Sequence, residues 1–363
     1  MSPTMIPAAK PLIGDEEREA VDRVLRSGMV AQGPEVAAFE AEFARELVGG
    51  RTCVAVSSGT SGLHLGLLAA GIGPGDEVVV PSFTFAATAN SVALTGATPV
   101  FADIDPATYC LDAAAVEAVV TERTAAVMPV HLYGHPADMT ALRALADRRG
   151  LRLFEDAAQA HGASWQGAPV GSFGDFAMFS LYPTKNMTSG EGGMVSCATE
   201  EIARAVRLLR NQGMERRYEN EVVGFNARMT DVHAAIGRVQ LGRLPAWTAQ
   251  RQANAAFLSA HLEGVGVPRV ADGATHVWHQ YTIRVPEDRD GFARALADEH
   301  GVGSGVYYPI PNHELPSFGV PADLPVTARA CAEVLSLPVH PALSPEDLER
   351  VVAGVNALAK AGA

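Results

Sequence analysis

Cysteine is scarce in this chain and is never clustered. The four residues, Cys53, Cys110, Cys197 and Cys331, lie far apart, and no C-x-x-C pair occurs. This spacing excludes a disulfide framework and a cysteine zinc site, and it fits a reducing compartment. We therefore expect a cytoplasmic protein.

Basic charge and long apolar runs are also lacking. The chain has 28 Lys and Arg against 41 Asp and Glu, a formal charge of −13, whereas general nucleic-acid binders present a basic face to the phosphates. The N-terminus has neither the basic nor the apolar part of a secretory leader, and no segment is apolar over the length that a bilayer requires. We expect no nucleic-acid partner and no membrane.

Histidines with metal-ligand spacing are missing too. His276 and His279 lie three residues apart in a predicted strand, where alternation sends their side chains to opposite faces. We therefore predict no metal site.

What is present is the composition of a globular protein with a sizeable core. Of the 363 residues, 48% are hydrophobic, and the length suits two domains. Apolar, β-branched runs alternate with helical patterns, which predicts an α/β fold with a mostly parallel sheet flanked by helices. The predicted strands are CVAV from Cys53, EVVVP from Glu77, TPVFADI from Thr98, AAVMPVHLYG from Ala125, LRLFEDA from Leu151 and FAMFSLY from Phe176.

The pattern changes near residue 244. A long helix, a few short strands and a final helix follow, which is typical of an α+β domain. We predict a large domain over 1–244 and a smaller one over 245–363. The first predicted helix follows Gly14, and Asp15 is its expected N-cap.

Polar motifs follow several of the predicted strands. Ligands bind at the carboxyl ends of strands in open α/β sheets, so these motifs should meet at one edge. Asp156 ends one apolar strand, and Lys185 follows the next one. A lysine and an aspartate placed in this way suit pyridoxal phosphate (PLP), since the lysine forms its Schiff base and the aspartate keeps the ring nitrogen protonated.

The other parts of a PLP site also have candidates. SSGTSG, between a strand and a helix, offers backbone N–H groups and hydroxyls to the phosphate, chiefly at Gly59 and Thr60, and Ser180 offers another hydroxyl. Phe83 and Phe85 could stack on the ring, and period-two alternation predicts that they share a face.

Six blocks of sequence resemble the sugar aminotransferases of the DegT/StrS type, which are fold type I PLP enzymes similar to aspartate aminotransferase. The blocks are SGTSGLHLGL, PSFTFAATAN, EDAAQAHGA, FSLYPTKN, GFNARMTDVHAAIGRVQL and YYPIPNHELP. The resemblance extends over nearly the whole chain. It implies a PLP-dependent transferase with a sheet of the seven-stranded type.

The resemblance also implies a role for individual residues. Lys185 would be the Schiff-base lysine and Asp156 the pyridinium partner, both catalytic, and Gln159 would bind the phenolic oxygen of the cofactor. Gly59, Thr60 and Ser180 would hold the phosphate, and Phe85 would stack on the ring. Asn226 would reach the phosphate from the neighbouring subunit, which implies a homodimer with shared active sites.

The amino donor implied by the resemblance is glutamate, and the acceptor is a nucleotide-linked keto sugar. NMTSGEGGM resembles the I-T-x-G-E-G-G of members that aminate carbon 4 of a 4-keto-6-deoxyhexose. Amination at carbon 3, amination of a cyclitol ketone, and a regulatory protein that binds PLP without turnover are the alternatives. Candidate substrate-binding residues are Lys10, Arg228, Tyr308 and His313, and for the diphosphate also Arg210, Arg216 and Arg217.

Overall fold

The computed structural model describes residues 5–361. Its centre is a seven-stranded sheet in the order β1-β9-β8-β5-β4-β2-β3. The strands in the described part of the chain are β1 (Thr52–Val56), β2 (Glu77–Pro81), β3 (Thr98–Ala102), β4 (Thr124–Val127), β5 (Arg152–Asp156), β6 (Ser164–Trp165), β7 (Ala168–Pro169), β8 (Phe176–Ser180), β9 (Gly193–Cys197), β10 (Ala274–Thr275), β11 (Tyr281–Arg284) and β12 (Val334–Leu337).

The predicted mostly parallel sheet is confirmed. Strand β2 pairs in parallel with β3 and β4, β4 with β5, and β5 with β8. Strand β9 is antiparallel to both of its neighbours, β1 and β8, and the sequence analysis did not predict it. Strand β9 lies between β1 and β8 in the sheet and runs in the direction opposite to β8.

Helices cover both faces of this sheet. Along β1, Val54 and Val56 pack into the core of one face, while Cys53 and Ala55 pack into the core of the other. Burial on both faces explains why these strands are continuous apolar runs. The helices are α1 (Asp15–Ser27), α2 (Pro34–Leu47), α3 (Gly59–Ala69), α4 (Ala87–Leu94), α5 (Ala113–Val119), α6 (Met139–Arg149), α7 (Glu200–Arg210), α8 (Asp231–His261), α9 (Arg289–His300), α10 (Pro325–Glu333) and α11 (Pro345–Ala361), with 3-10 turns at Leu132–Gly134 and Asn312–Glu314.

Helix α3 approaches the sheet closely because of its glycines. A Cβ at Gly62 would lie 2.8 Å from Met178, and one at Gly66 would lie 2.6 Å from the ring of Phe176. Only glycine leaves room for β8 against this face of the helix. The close contact fixes the N-terminus of α3 beside the end of β8.

The C-terminal part has its own core. Strands β11 and β12 pair antiparallel, and their apolar side chains pack with those of α9, α11 and the end of α8. Helix α8 is continuous through Pro245, with Leu241 in a core of the large sheet and Leu258 in the C-terminal core. The boundary at 244/245 therefore falls inside a helix that serves both parts, and the two-domain division stays a proposal.

The predicted cap of the first helix is wrong by one residue. Helix α1 begins at Asp15, and its N-cap is Gly14. The carboxylate of Glu17 accepts the Gly14 N–H at 2.8 Å, so a side chain three residues into the helix satisfies this backbone donor.

Candidate active site

The carboxyl ends of β1, β5 and β8 open onto a cavity of about 520 Å³. Most of the predicted site residues line its wall, which fits the expected position for a ligand in an open α/β sheet. The predicted residues that the structure brings together there are Gly59, Thr60, Phe85, Asp156, Gln159, Ser180, Lys185 and Tyr308.

Lys185 lies in a turn after β8, where its N–H donates to the Tyr182 carbonyl at 3.0 Å. Burial lowers the pKa of Lys185 to about 8, and the carboxylate of Asp156 opposes this shift. A lysine in this state is half neutral near pH 8 and can act as a nucleophile and as a base.

Asp156 ends β5 with its side chain buried, and it has defined partners. Thr88 Oγ1 donates to Oδ2 at 2.7 Å, and the Ala158 N–H donates to Oδ1 at 3.1 Å. Burial raises the pKa of Asp156, and these hydrogen bonds and the charge of Lys185 counteract that shift. The carboxylate is thus oriented, and it gains from a cationic partner in the cavity.

Gln159 is buried and held by two contacts. Its Oε1 accepts the Tyr133 N–H at 2.7 Å, and its Nε2 donates to the hydroxyl of Tyr308 at 2.7 Å. These partners fix the orientation of the amide, and its second N–H stays available to a ligand oxygen. Tyr308 has a φ of +59°, in the left-handed region, and this backbone turn brings its hydroxyl to the amide.

The start of helix α3 forms an anion cradle with the end of β8. Ser58 is the N-cap and accepts the Ser61 N–H at 3.1 Å, and Gly59 and Thr60 begin the helix. A Cβ at Gly59 would lie 3.1 Å from the Cβ of Ser180, so the glycine keeps these two elements close. The helix N-terminus and the hydroxyls suit a phosphate group.

The expectation that Phe83 and Phe85 share a face is wrong. Phe83 is buried against Tyr109, Tyr133 and Tyr308, while Phe85 is 64% exposed at the cavity wall. Both residues follow β2 in a loop, where strand alternation does not apply. The arrangement leaves Phe85 as the one of the two that faces the cavity.

Several predicted residues do not line this cavity. Arg228 donates to Asn211 Oδ1 at 2.8 Å, and His313 lies behind the wall with its Nδ1 2.8 Å from the Ser82 hydroxyl. Asn226 is exposed and is not part of the cavity wall. Lys10 lines a small adjacent cavity together with Lys185.

The predicted arginines also lie elsewhere. Arg210 is buried, pairs with Glu40 at 2.5 Å and donates to the Ala55 carbonyl, so it serves packing and not a diphosphate. Arg216 and Arg217 are exposed on the segment after α7.

Part of the cavity wall consists of residues that no sequence pattern predicted. These residues are Ser58, Thr84, Tyr182, Thr184, Glu191, His279, Gln280 and Tyr307. Tyr182, Thr184 and Glu191 flank Lys185 in sequence, a signal that could have identified them. His279 and Gln280 come from a loop some 90 residues further on, and no local pattern marks them.

His279 has a defined tautomer. The amide of Asn186 donates to the Val277 carbonyl at 2.8 Å, so its Oδ1 faces the Nδ1 of His279 at 3.3 Å and accepts a hydrogen bond from the Nδ1–H. Burial holds the pKa of His279 well below its usual range. The ring is therefore neutral, and its Nε2 has no partner among residues 5–361.

PLP fits this set of residues. The cavity combines an amine of lowered pKa, a buried carboxylate, an amide donor and a phosphate cradle at a helix N-terminus. No group of three or more His, Cys, Asp or Glu side chains in the described chain could hold a metal ion. Within the same residues, no helix is long and apolar enough to cross a membrane.

The fold and the site define a PLP-dependent aminotransferase. The model of the DegT/DnrJ/EryC1/StrS aminotransferase family matches residues 11–356. The chain belongs to this family, as its sequence blocks predict.

Two curated relatives extend over almost the same length. The chain is 44% identical to the dTDP-3-amino-3,4,6-trideoxy-alpha-D-glucose transaminase of Streptomyces venezuelae, covering 94% of this chain and 91% of the relative. It is 43% identical to the pleiotropic regulatory protein of Geobacillus stearothermophilus, covering 93% and 92%.

Solved structures also match this chain over almost its whole length. The DesV structure from Streptomyces venezuelae has a TM-score of 0.93 at 42% identity and covers 98% of this chain and 99% of that one. The NtdA structure from Bacillus subtilis has a TM-score of 0.90 at 31% identity, covers 99% and 86%, and contains the cofactor PMP. The protein is an aminotransferase of this family, and PLP is its cofactor.

Proposed function

We propose that the protein transfers the amino group of glutamate to a keto sugar carried on a nucleoside diphosphate. The observation that carries this proposal is the placement of Lys185 and Asp156 in one cavity of about 520 Å³. Relatives with 41–44% identity are named as enzymes of dTDP-, UDP- and GDP-linked amino sugars, which supports the class of acceptor.

Different residues of the cavity have different roles toward the cofactor. PLP, when bound, supplies an electron sink for the bonds at the reacting carbon. With PLP bound, Asp156 would hold the proton on the ring nitrogen, and Gln159 would donate to the phenolic oxygen. Gly59, Thr60 and Ser180 would hold the phosphate.

Lys185 anchors the cofactor and moves the proton. Its lowered pKa provides a free amine near neutral pH, and this amine takes a proton from the α-carbon of the amino donor. The same group returns a proton at the sugar carbon in the second half-reaction. Neutral His279 exposes an acceptor nitrogen at the wall, which suits a sugar hydroxyl.

The favoured acceptor is a 4-keto-6-deoxyhexose. The residues after Lys185, NMTSGEGGM, support carbon 4, and Glu191 of this segment lines the cavity. Amination at carbon 3 is the second candidate, and the names of two relatives with 43% and 44% identity favour it. A panel of nucleotide-linked 3-keto and 4-keto sugars, with NMR of each product, distinguishes them: an amino group at carbon 3 alone overturns the first choice.

A homodimer with shared active sites is part of the proposal. Asn226 is exposed and does not line the cavity of its own subunit, which is consistent with a phosphate contact made to a neighbouring copy. Val222, Val223 and Phe225 beside it are exposed apolar side chains that an interface would cover. Sedimentation of the purified protein tests the dimer, and Asn226→Ala should weaken PLP binding.

A regulatory protein that binds PLP without turnover is the alternative from another class, and the name of the Geobacillus stearothermophilus relative favours it. Adding glutamate to the PLP-loaded protein separates the two. A transaminase converts the bound PLP to pyridoxamine phosphate, with a change in absorbance and an equivalent of 2-oxoglutarate. Lys185→Ala should fold and fail to convert it, and an unchanged rate in this variant contradicts the role of Lys185.

A further inference from the structure

A small side cavity opens beside the main one, and its most prominent group is Arg251. The two cavities share Thr184, His279, Gln280 and Tyr307 in their walls. The side cavity has a volume of about 20 Å³ against about 520 Å³ for the main one. This is space on the scale of one or two water molecules, so only a small terminal group that enters from the main cavity fits there, and a sugar ring does not.

Arg251 differs from the other buried arginines. Arg210 and Arg289 are buried to a similar degree, and each has a carboxylate partner, Glu40 and Asp290 respectively. Arg251 is 6% exposed and has no acidic partner in the described part of the chain. A buried cation without a counter-charge is costly, and an anionic ligand removes that cost.

The donors of Arg251 are only partly used. Nη1 donates to the carbonyl oxygens of Trp278 and His279 at 3.1 and 3.4 Å. Nε has no hydrogen-bond partner, and Nη2 makes no hydrogen bond to any described residue. Burial alone lowers the pKa of Arg251 to about 10, which leaves the guanidinium charged at neutral pH. Its unpaired N–H groups can therefore donate hydrogen bonds to an anion.

Gln280 adds a second donor to the same side cavity. Its Oε1 accepts the hydroxyl of Ser336 at 3.2 Å, which orients the amide, and its Nε2 has no partner within residues 5–361. Thr184, next to Lys185 in sequence, also lines this space and carries a hydroxyl.

His340, in the wall of the side cavity, does not offer an N–H group to an anion. His340 donates from Nε2 to the Pro7 carbonyl at 3.1 Å, so its Nδ1 is a lone-pair acceptor without a partner. Burial lowers its pKa, which keeps the ring neutral. The anion is therefore bound from the side of Arg251, and His340 can accept from an ordered water molecule.

We propose that Arg251, with Gln280 and Thr184, binds a carboxylate of the amino donor. The proposal rests on the proposed function and adds the place where the donor is recognised. Arg251 also lines a second small cavity whose wall includes Lys185, so Arg251 and the group that handles the proton border a common space. A diphosphate does not fit in the side cavity, so we assign Arg251 to the donor and not to the acceptor sugar.

The first test separates the two half-reactions. In Arg251→Lys, which keeps the charge but loses the planar fork, the glutamate concentration for half-maximal conversion of bound PLP should rise at least tenfold. The half-saturating concentration of keto sugar, measured with the pyridoxamine phosphate form, should change less than twofold. Equal loss in both half-reactions indicates a structural role and overturns the proposal, as does no loss in either. Arg294→Lys on the exposed face of α9 is the matched control.

The second test measures binding without turnover. Glutarate and propionate are titrated calorimetrically into the PLP-loaded protein. Glutarate should bind to the wild type and bind at least tenfold more weakly to Arg251→Lys. Gln280→Glu keeps the acceptor for Ser336 but adds a negative charge, so it should abolish glutarate binding even if Arg251 variants fold poorly. Comparable binding of propionate assigns the site to the α-carboxylate, and binding of glutarate alone assigns it to the side chain of a dicarboxylic donor.

The outcomes distinguish this proposal from the proposed function. If glutamate fails to convert the wild-type protein but glutarate binds through Arg251, the transamination is wrong and the carboxylate site stands. If glutamate converts the wild type, and neither substitution changes glutarate binding, the site assignment is wrong and the transamination stands.

Discussion

The hydroxyl of Thr88 donates a 2.7 Å hydrogen bond to Oδ2 of Asp156. Thr88 is fully buried on helix α4, and Thr84 lies 3.3 Å from its hydroxyl. Since the Thr88 hydroxyl donates its hydrogen bond to Asp156, it accepts a hydrogen bond from the Thr84 hydroxyl. Thr84, just before helix α4, and Thr88, within it, therefore set the orientation of the Asp156 carboxylate on the central sheet.

Thr88→Val should weaken PLP binding about tenfold, since a hydrogen bond to a charged group contributes about 1.5 kcal/mol or more. Losing this donor also raises the pKa of Asp156 further. Fluorescence titration of the apoprotein with PLP measures the change. Thr88→Ser keeps the hydroxyl and should bind like the wild type; equal affinity of the valine variant would show that Thr88 does not position Asp156.

Lys185 should react as an unusually acidic lysine. Its pKa of about 8 follows from burial, and Asp156 raises it, so carbamylation of the apoprotein should rise to half its maximum near pH 8. In Asp156→Asn the midpoint should move lower still. Mass spectrometry of the labelled peptide gives the profile, with exposed Lys360 as the internal comparison. A midpoint near pH 10 in the wild type contradicts the lowered pKa.

Gly66→Ala and Gly242→Ala should have opposite effects. A Cβ at Gly66 overlaps the ring of Phe176, which should lower the free energy of unfolding by about 1–3 kcal/mol. Nothing lies within 4 Å of a Cβ at Gly242 on helix α8, so alanine there should raise it by about 0.5–1 kcal/mol. Urea unfolding of both variants measures these changes. If the two variants were equally stable, the close packing of α3 against β8 would be refuted.

Glu155 should make stability depend on pH. Burial pushes the pKa of Glu155 upward, but hydrogen bonds from His131 and from the N–H groups of Gly171 and Gly174 outweigh this and lower it. A lowered pKa stabilises the fold above the unfolded value near 4.5, and this contribution is lost as pH falls through the folded pKa.

Glu155→Gln should therefore lower the free energy of unfolding by about 1.5–3 kcal/mol at pH 7. The difference from the wild type should shrink as pH falls below 4.5 toward the lowered folded pKa, where the wild-type carboxyl becomes neutral as well. Thermal unfolding from pH 8 down to about pH 3 measures it. A difference that does not vary with pH would mean that the charge of Glu155 is unimportant.

The sequence predicted those site residues that stand directly beside a recognisable strand or helix in the chain. Asp156 and Lys185 each follow a long apolar strand, and Gly59 and Thr60 lie between a strand and a helix, so their common edge could be inferred. Strand β9 escaped prediction because it begins with glycine and follows a glycine-rich segment.

The rest depends on contacts that sequence spacing does not encode. Phe83 and Phe85 separate because the chain leaves strand geometry after Pro81. Arg251 resembles any helical arginine in sequence, and only the fold shows that it is buried without an acid. His279 and Gln280 reach the wall through the packing of the C-terminal part against the large sheet.

The antiparallel strand β9 also bears on how the site assembles. Strands β8 and β9 are neighbours in the sheet and are separated by twelve residues, so the segment with Lys185 closes a hairpin at a small loss of chain entropy. The pairing of β5 with β8 and of β1 with β9 instead joins distant parts of the chain. We expect the loop of the lysine to form early in folding and the carboxylate and the phosphate cradle to join it later.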